Sequence, residues 1–179
     1  MLVVICGGGV IGAAAAYELS RRNIAVTVVE RWRVGGAASG KSGGFLARDW
    51  CNGTATATLA QRSFDLHEIW AEHLGSSYGY RKVDTFSAAL SLRRPLSSAK
   101  SARLAPWLAP DAAHRRQLGT VATTAQLDPE AFTLALMNAA IAHGARLEIA
   151  TVAQLAKTHD EKRVAGVVLA DGGKLWPMP

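Results

Sequence analysis

The chain has 179 residues, of which 49% are hydrophobic and 19% charged, and its formal net charge is +6. These proportions exclude a disordered or collagen-like chain, and two cysteines, Cys6 and Cys51, are too few for a disulfide-rich secreted scaffold. The 20 basic residues are scattered in runs no longer than two, so we expect no nucleic-acid partner.

The amino-terminal segment predicts a cytoplasmic protein that begins directly in its fold. Residues 1–17 carry no charge, but no basic residue precedes this apolar run, as a signal peptide would require. Glycines interrupt the run, and it is shorter than the ~20 residues that a helix needs to cross a bilayer. We therefore expect no membrane span, and two reduced thiols.

A strand, a helix and a second strand are predicted in the first thirty residues. Leu2–Cys6 is a continuous apolar run rich in β-branched residues, which indicates a buried parallel strand. The following helix has an apolar stripe formed by Ile11, Ala15 and Leu19. Residues 25–29 predict the second buried strand, so the order is typical of a βαβ unit.

A glycine motif lies between the first strand and the helix. Gly7, Gly9 and Gly12 form a GxGxxG pattern, in which the glycines allow a tight turn, close approach of a pyrophosphate, and close helix packing. Glu30, 18 residues after Gly12, can accept hydrogen bonds from the adenosine ribose and disfavours the 2′-phosphate of NADP. The motif predicts an adenine-dinucleotide site, although it does not choose between FAD and NAD. An ordinary glycine-rich turn is the alternative, and it would not require Glu30.

A second glycine-rich segment, residues 35–44, follows the strand that carries Glu30. Its backbone N–H groups and hydroxyls can face an anion, and its small side chains let a flat ring approach the backbone. The alternative is a flexible linker, because Gly/Ser runs often have that role.

Three stretches carry a resemblance to a known family: VVICGGGVIGAA in the first turn, VVER at 28–31, and AASGKSGG at 37–44. They resemble the D-amino-acid-oxidase-type FAD-dependent oxidoreductases, which include glycine and sarcosine oxidases. The likeness continues through residues 126–144 and 163–169 and corresponds to the amino-terminal half of such proteins. It implies a bound FAD and a Rossmann-like α/β domain with an inserted, incomplete β segment of the substrate domain.

The resemblance also assigns cofactor positions. The turn that binds the pyrophosphate matches Gly7, Gly9, Val10, Ile11 and Gly12, and Ser39 matches a position beside the pyrophosphate. The residues that bind the ribose match Glu30 and Arg31. The resemblance further implies that the flavin ring lies over Gly43, Gly44 and Phe45, and that the adenine meets the backbone of Val152. Substrate-binding residues of the family usually lie in the half without a counterpart here, so no catalytic residue is assigned. No metal site is expected, because no His, Cys or carboxylate group has ligand spacing.

Further elements follow in the rest of the chain. A helix is predicted over 58–74, with Leu59, Ser63, Leu66, Trp70 and His73 on one stripe and Gly75 after its end. A second helix opens at Asp128, with Pro129 at its first position and Glu130 in its first turn. Strands are predicted at 81–92, 120–127, 147–149 and 164–170, and an irregular stretch at 95–114. The predicted domains are a first FAD-binding part (1–79), a partial substrate domain (80–127) and a second FAD-binding part (128–179).

Three functional hypotheses remain open. The first is oxidation of an amine or amino-acid-like small molecule by hydride transfer to FAD. The second is a dinucleotide-binding fragment without turnover, and the third is an NAD-dependent dehydrogenase. The glycine-rich segment 35–44 argues against the third.

Overall fold

A computed structural model describes residues 2–75, 77–90, 112–160 and 162–175. Most of the stretch predicted to be irregular, residues 95–111, therefore lies outside the described residues. The chain forms two compact units: residues 1–44, 72–79 and 127–179 make the first, and 45–71 and 80–126 the second. The second unit thus includes residues 45–71, which the predicted domains assign to the FAD-binding part, and the functional domain bounds stay a prediction.

The secondary structure is mixed. The helices are α1 (Val10–Ser20), α2 (Ala57–Leu74) and α3 (Pro129–Ala142), with one short 3-10 turn at Ser39–Lys41. The strands are β1 (Leu2–Cys6), β2 (Ala25–Glu30), β3 (Phe45–Ala47), β4 (Arg81–Lys82), β5 (Thr85–Leu90), β6 (Ala112–Gly119), β7 (Thr124–Gln126), β8 (Arg146–Ile149), β9 (Val152–Lys157), β10 (Val164–Leu169) and β11 (Lys174–Leu175). No helix in the described part of the chain is long and apolar enough to cross a membrane.

A parallel sheet in the order β1-β2-β8 forms the base of the first unit. The central strand β2 is the most buried of the three, and Val26, Val28 and Val29 are all inaccessible to solvent or nearly so. Glu30 ends β2 at the carboxyl edge of the sheet, beside the turn that follows β1. The predicted βαβ unit and its Rossmann-like α/β class are therefore confirmed.

The buried face of α1 differs from the predicted apolar stripe. Ile11, a member of that stripe, is 84% exposed. The residues of α1 that are buried are Gly12, Ala13, Ala16, Tyr17 and Ser20. Alanines on several sides of the helix make its apolar periodicity weak, so the face is decided by packing against α3, which small residues allow at close range.

The start of α3 agrees with its sequence signals. Asp128 is the N-cap, and its Oδ1 accepts a hydrogen bond of 2.9 Å from the Ala131 N–H. Pro129 occupies the first helical position, where its missing N–H costs nothing. The helix buries Phe132 and Leu136, and it ends before Gly144, which has a φ of +90°.

An antiparallel sheet in the order β11-β10-β9 completes the first unit. Val167 and Leu169 of β10 form a buried cluster with Val29 of the parallel sheet, and Val152 packs against that cluster. The strand predicted at 164–170 is confirmed as β10. Strand β9 was not predicted, because only Ala156 in it is buried and its hydrophobic pattern is correspondingly weak.

The second unit contains a sheet in the order β3-β7-β4 and a β5-β6 pair, all antiparallel. The strand predicted over 81–92 is divided into β4 and β5. The strand predicted over 120–127 begins only at Thr124, because Thr120 accepts backbone hydrogen bonds from Thr123 and Thr124 in a turn. β6 begins at residue 112, inside the stretch predicted to be irregular.

The long helix α2 begins one residue before the predicted start and ends before Gly75, whose φ of +79° suits the position after a helix. Its predicted stripe is confirmed at Trp70, which is buried, and wrong at Leu59. Leu59 is 70% exposed, whereas Phe64, which lies outside the stripe, is 4% exposed. The two large aromatic side chains Phe64 and Trp70 define the buried face, since they remove the most apolar area from water.

Candidate dinucleotide-binding site

The turn from β1 into α1 depends on two glycines. Gly7 has a φ of +107°, and its N–H donates a hydrogen bond of 2.8 Å to the Val29 carbonyl oxygen of the neighbouring strand. A Cβ on Gly12 would lie 2.0 Å from the carbonyl oxygen of Gly7. The backbone of the turn therefore runs directly over the first turn of α1, which is the close helix packing that the motif predicts.

The amino terminus of α1 meets the second glycine-rich segment. Gly9 is the N-cap and provides no side-chain acceptor, so the first N–H groups of the helix need another partner. Ser39 supplies one, because its Oγ accepts a hydrogen bond of 2.9 Å from the Val10 N–H. A Cβ on Gly9 would lie 2.9 Å from that Oγ, so a larger residue here would force Ser39 to shift. The Ser39 hydroxyl keeps its own hydrogen available for donation to an oxygen of a ligand.

The Glu30 carboxylate connects the glycine turn to the loop after β2. Its Oε2 accepts a hydrogen bond of 2.7 Å from the Gly8 N–H, and its Oε1 accepts one of 2.9 Å from the Trp32 N–H. Each carboxylate oxygen has a further lone-pair direction, so Glu30 can still accept bonds from ribose hydroxyls. Gly8 and Trp32 were not among the predicted site residues, because they act through backbone N–H groups that any residue type carries.

A pocket brings several of these residues together. It is lined by Gly9, Glu30, Arg31, Trp32, Arg33, Gly35, Gly36, Ala37 and Ser39. Four predicted residues, Gly9, Glu30, Arg31 and Ser39, thus share one pocket in the first unit. Arg33 was not predicted; its guanidinium lies 4.8 Å from the Trp32 ring centroid and pairs with the Glu130 carboxylate of α3. The sequence gives no signal for this pair, whose members are 97 residues apart.

The predicted flavin-ring stretch lies further along the same segment. Gly44 has a φ of +63°, and its carbonyl oxygen accepts a hydrogen bond of 2.9 Å from the Leu127 N–H. Gly43 has open space where a side chain would stand. Phe45 begins β3 in the second unit, where its ring lies 5.1 Å from that of Trp50. The roles of these residues toward the flavin stay a prediction.

Two other predicted residues have clear positions. Val152 starts β9, pairs with Leu169 and packs beside Val29, the residue before Glu30. Ile11 lies in the first turn of α1 with its side chain in solvent. Neither position tests the predicted contact with FAD.

The second unit has a pocket of its own, of about 450 Å³, lined by Trp50, Arg116, Gln117 and Leu118. The Trp50 indole is held there, since its Nε1–H donates a hydrogen bond of 2.9 Å to the Leu118 carbonyl oxygen. No cluster of three or more His, Cys, Asp or Glu side chains suited to a metal occurs among residues 2–75, 77–90, 112–160 and 162–175.

Comparison with known proteins identifies the family. The family model DAO, described as FAD dependent oxidoreductase, matches residues 3–176. The chain belongs to this family. FAD is therefore the cofactor of the family, and the predicted resemblance is confirmed. A Schizosaccharomyces pombe protein named as an oxidoreductase, C1F5.03c, is 32% identical over 149 residues, which are 77% of this chain and 38% of that protein.

Solved structures of DAO-type enzymes share the fold. Glycine oxidase from Bacillus cereus superimposes with a TM-score of 0.80 at 20% identity, covering 98% of this chain and 54% of the enzyme. Glycine oxidase from Geobacillus kaustophilus gives a TM-score of 0.77 at 24% identity, covering 98% of this chain and 52% of the enzyme. The chain thus spans about half the length of these enzymes and 38% of the yeast relative.

Proposed function

We propose that the chain holds FAD for an oxidoreductase that acts on an amine or amino-acid-like small molecule. The observation that carries the proposal is the contact between the Ser39 hydroxyl and the Val10 N–H. It brings the second glycine-rich segment to the amino terminus of α1, beside the Glu30 carboxylate. A flexible linker would not make this contact.

The residues present fit a dinucleotide. The amino terminus of α1 offers a partial positive charge to a pyrophosphate, and the absence of a side chain at Gly9 keeps the approach open. Ser39 can donate its hydroxyl hydrogen to a phosphate oxygen, and Glu30 can accept from the ribose hydroxyls. Arg31 lines the same pocket, where its charge favours a phosphate. The same Glu30 charge repels a 2′-phosphate, so FAD is favoured over NADP.

The substrate part of the proposal follows from the family and its solved members. When bound, FAD supplies a two-electron acceptor for oxidation of the carbon beside a nitrogen. Two of the similar structures are glycine oxidases, and a third is an iminodiacetate oxidase. We therefore propose an amino acid or a related secondary amine as substrate.

A second candidate function is dinucleotide binding without turnover. It is favoured by the residues that the candidate site brings together, because Gly9, Glu30, Arg31 and Ser39 all suit dinucleotide binding and none of them is assigned to a substrate. The two candidates differ in one respect only. Both predict a bound flavin, and only the first predicts its reduction by an amine.

The test is a visible absorption spectrum of the purified chain after incubation with FAD and desalting. A retained flavin band is expected, and its loss under anaerobic addition of glycine, sarcosine or proline would support the oxidase. Gly9→Val is the variant that tests the site, because a Cβ at this position lies 2.9 Å from the Ser39 Oγ and forces that contact to shift. A retained band of equal size in Gly9→Val would contradict the proposed site, and a colourless wild-type chain would contradict FAD binding by this chain.

A further inference from the structure

We propose that Arg33 and Glu130 form a latch that holds the second glycine-rich segment in its binding position, so both are positioning residues for FAD. The inference deepens the proposed function and rests on it. Neither residue is among the predicted cofactor contacts; Arg33 lines the proposed pocket, but its guanidinium is engaged by Glu130 and Trp32. Both latch residues act through Glu30 and Ser39, which lie on the two sides of Arg33 in the chain.

The latch itself is an ion pair supported by an aromatic ring. Arg33 Nη1 pairs with Glu130 Oε1, and the two side chains are 46% and 37% exposed. The Arg33 guanidinium also lies over the Trp32 ring, within the range of a cation–π interaction. Arg33 is therefore restrained from two directions, by α3 and by its own neighbour in the loop.

The glycine-rich segment packs directly on this pair. A Cβ on Gly40 would lie 3.1 Å from the Glu130 Cβ, and one on Gly36 would lie 2.6 Å from the Arg33 Cγ. The Gly40 N–H donates a hydrogen bond of 2.9 Å to the Gly35 carbonyl oxygen, which closes the segment into a loop around Glu130. The small residues that indicated a phosphate-binding or linker segment are thus also needed to fit the latch.

Both proposed cofactor contacts depend on where this loop stands. Ser39 is the residue before Gly40, and its Oγ must remain 2.9 Å from the Val10 N–H. Near the other end of the loop, the Gly35 N–H donates a hydrogen bond of 3.0 Å to the Gly8 carbonyl oxygen. Arg33 lies just before this loop, and Gly40 packs against Glu130, so the ion pair ties the start of the loop to α3. Its loss would free Ser39 and the Glu30–Trp32 contact to move.

The experiment uses the whole chain and a double-mutant cycle. The variants are Arg33→Met, which keeps an unbranched stem against Trp32, Glu130→Gln, and the two combined. The matched control is Glu18→Gln with Arg22→Met, which removes the ion pairs of Glu18 with Arg21 and Arg22 at the far end of α1. Hydrogen exchange of residues 31–44 is measured without FAD, and the dissociation constant for FAD is measured by flavin fluorescence.

Each single substitution in the latch is expected to speed exchange across residues 31–44 and to weaken FAD binding by about 1.4- to 5-fold, the range for an exposed ion pair. The double variant should bind FAD no more weakly than the single variant with the lower affinity, because either single substitution already breaks the ion pair. The α1 control should change neither measurement.

Unchanged exchange in both single variants, or losses of affinity that add in the double variant, would overturn the latch. A wild-type chain that binds no FAD would overturn the proposed function instead. In that case the exchange rates of the cofactor-free chain still decide the latch, since the ion pair is present without FAD.

Discussion

Replacing Gly12 with alanine tests the central geometry of the site. The added Cβ would lie 2.0 Å from the Gly7 carbonyl oxygen and 3.2 Å from the Ile5 Cγ2, so the turn or the helix must move by about 1 Å. Overpacking of this kind costs ~1–3 kcal/mol or more, and the better helix propensity of alanine offsets at most ~1 kcal/mol. We expect a net loss of ~1–2 kcal/mol in the free energy of unfolding. FAD binding should weaken too, because the turn and the start of α1 shift together.

The assay is urea unfolding followed by tryptophan fluorescence, with the FAD dissociation constant measured in parallel. Gly43→Ala is the matched control, because its added Cβ meets no atom within 4 Å and its stability should change by less than ~0.5 kcal/mol. Equal urea midpoints for Gly12→Ala and Gly43→Ala, together with an FAD affinity of Gly12→Ala equal to that of the wild-type chain, would refute this reasoning, since the steric overlap would then have no consequence.

Two further predictions concern single side chains. Glu30→Ala should weaken FAD binding by ~1–3 kcal/mol, the range for hydrogen bonds to a charged group. The control is Glu18→Ala on α1. Equal FAD affinities of the two variants in flavin titrations would show that Glu30 does not bind the ribose. Burial lowers the pKa of His67 below 6.5, only partly opposed by its contact with the Ser63 carbonyl oxygen, so the unfolded chain takes up the proton first. The stability that neutral His67 contributes is therefore present above pH ~6.5 and is lost as the pH falls through its folded pKa. Urea midpoints of the wild-type chain should fall more between pH 7.5 and 5.5 than those of His67→Phe, and parallel profiles would contradict the assignment.

Local signals explain which elements could be predicted. The β-branched runs of β1 and β2 and the glycine motif between them lie within thirty consecutive residues, so their βαβ arrangement follows from short-range pattern. The capping residue Asp128 and Pro129 likewise define the start of α3 by local chemistry alone. These signals were sufficient to predict the fold class and an adenine-dinucleotide cofactor.

The buried faces and the weaker strands could not be predicted in the same way. α1 is rich in alanine, so its periodicity carries little information, and its contact with α3 decides which side is buried. In α2 the predicted stripe included Trp70, which is buried, but it also included the exposed Leu59 and left out the buried Phe64. The strand β9 escaped notice because most of its side chains are exposed, which leaves no apolar pattern to detect.

The sequence by itself determined the chemistry of the candidate site. A dinucleotide requires certain residue types at fixed spacing, and the chain has them in GxGxxG, Glu30 and the small residues of 35–44. Only the tertiary structure decided how these pieces meet. Ser39 reaches the start of α1 across 29 residues, and Arg33 reaches Glu130 across 97. The physical reason is that such contacts depend on where the sheet and α3 place the backbone. Contacts between residues so far apart in the sequence produce no repeating pattern from which they could be predicted.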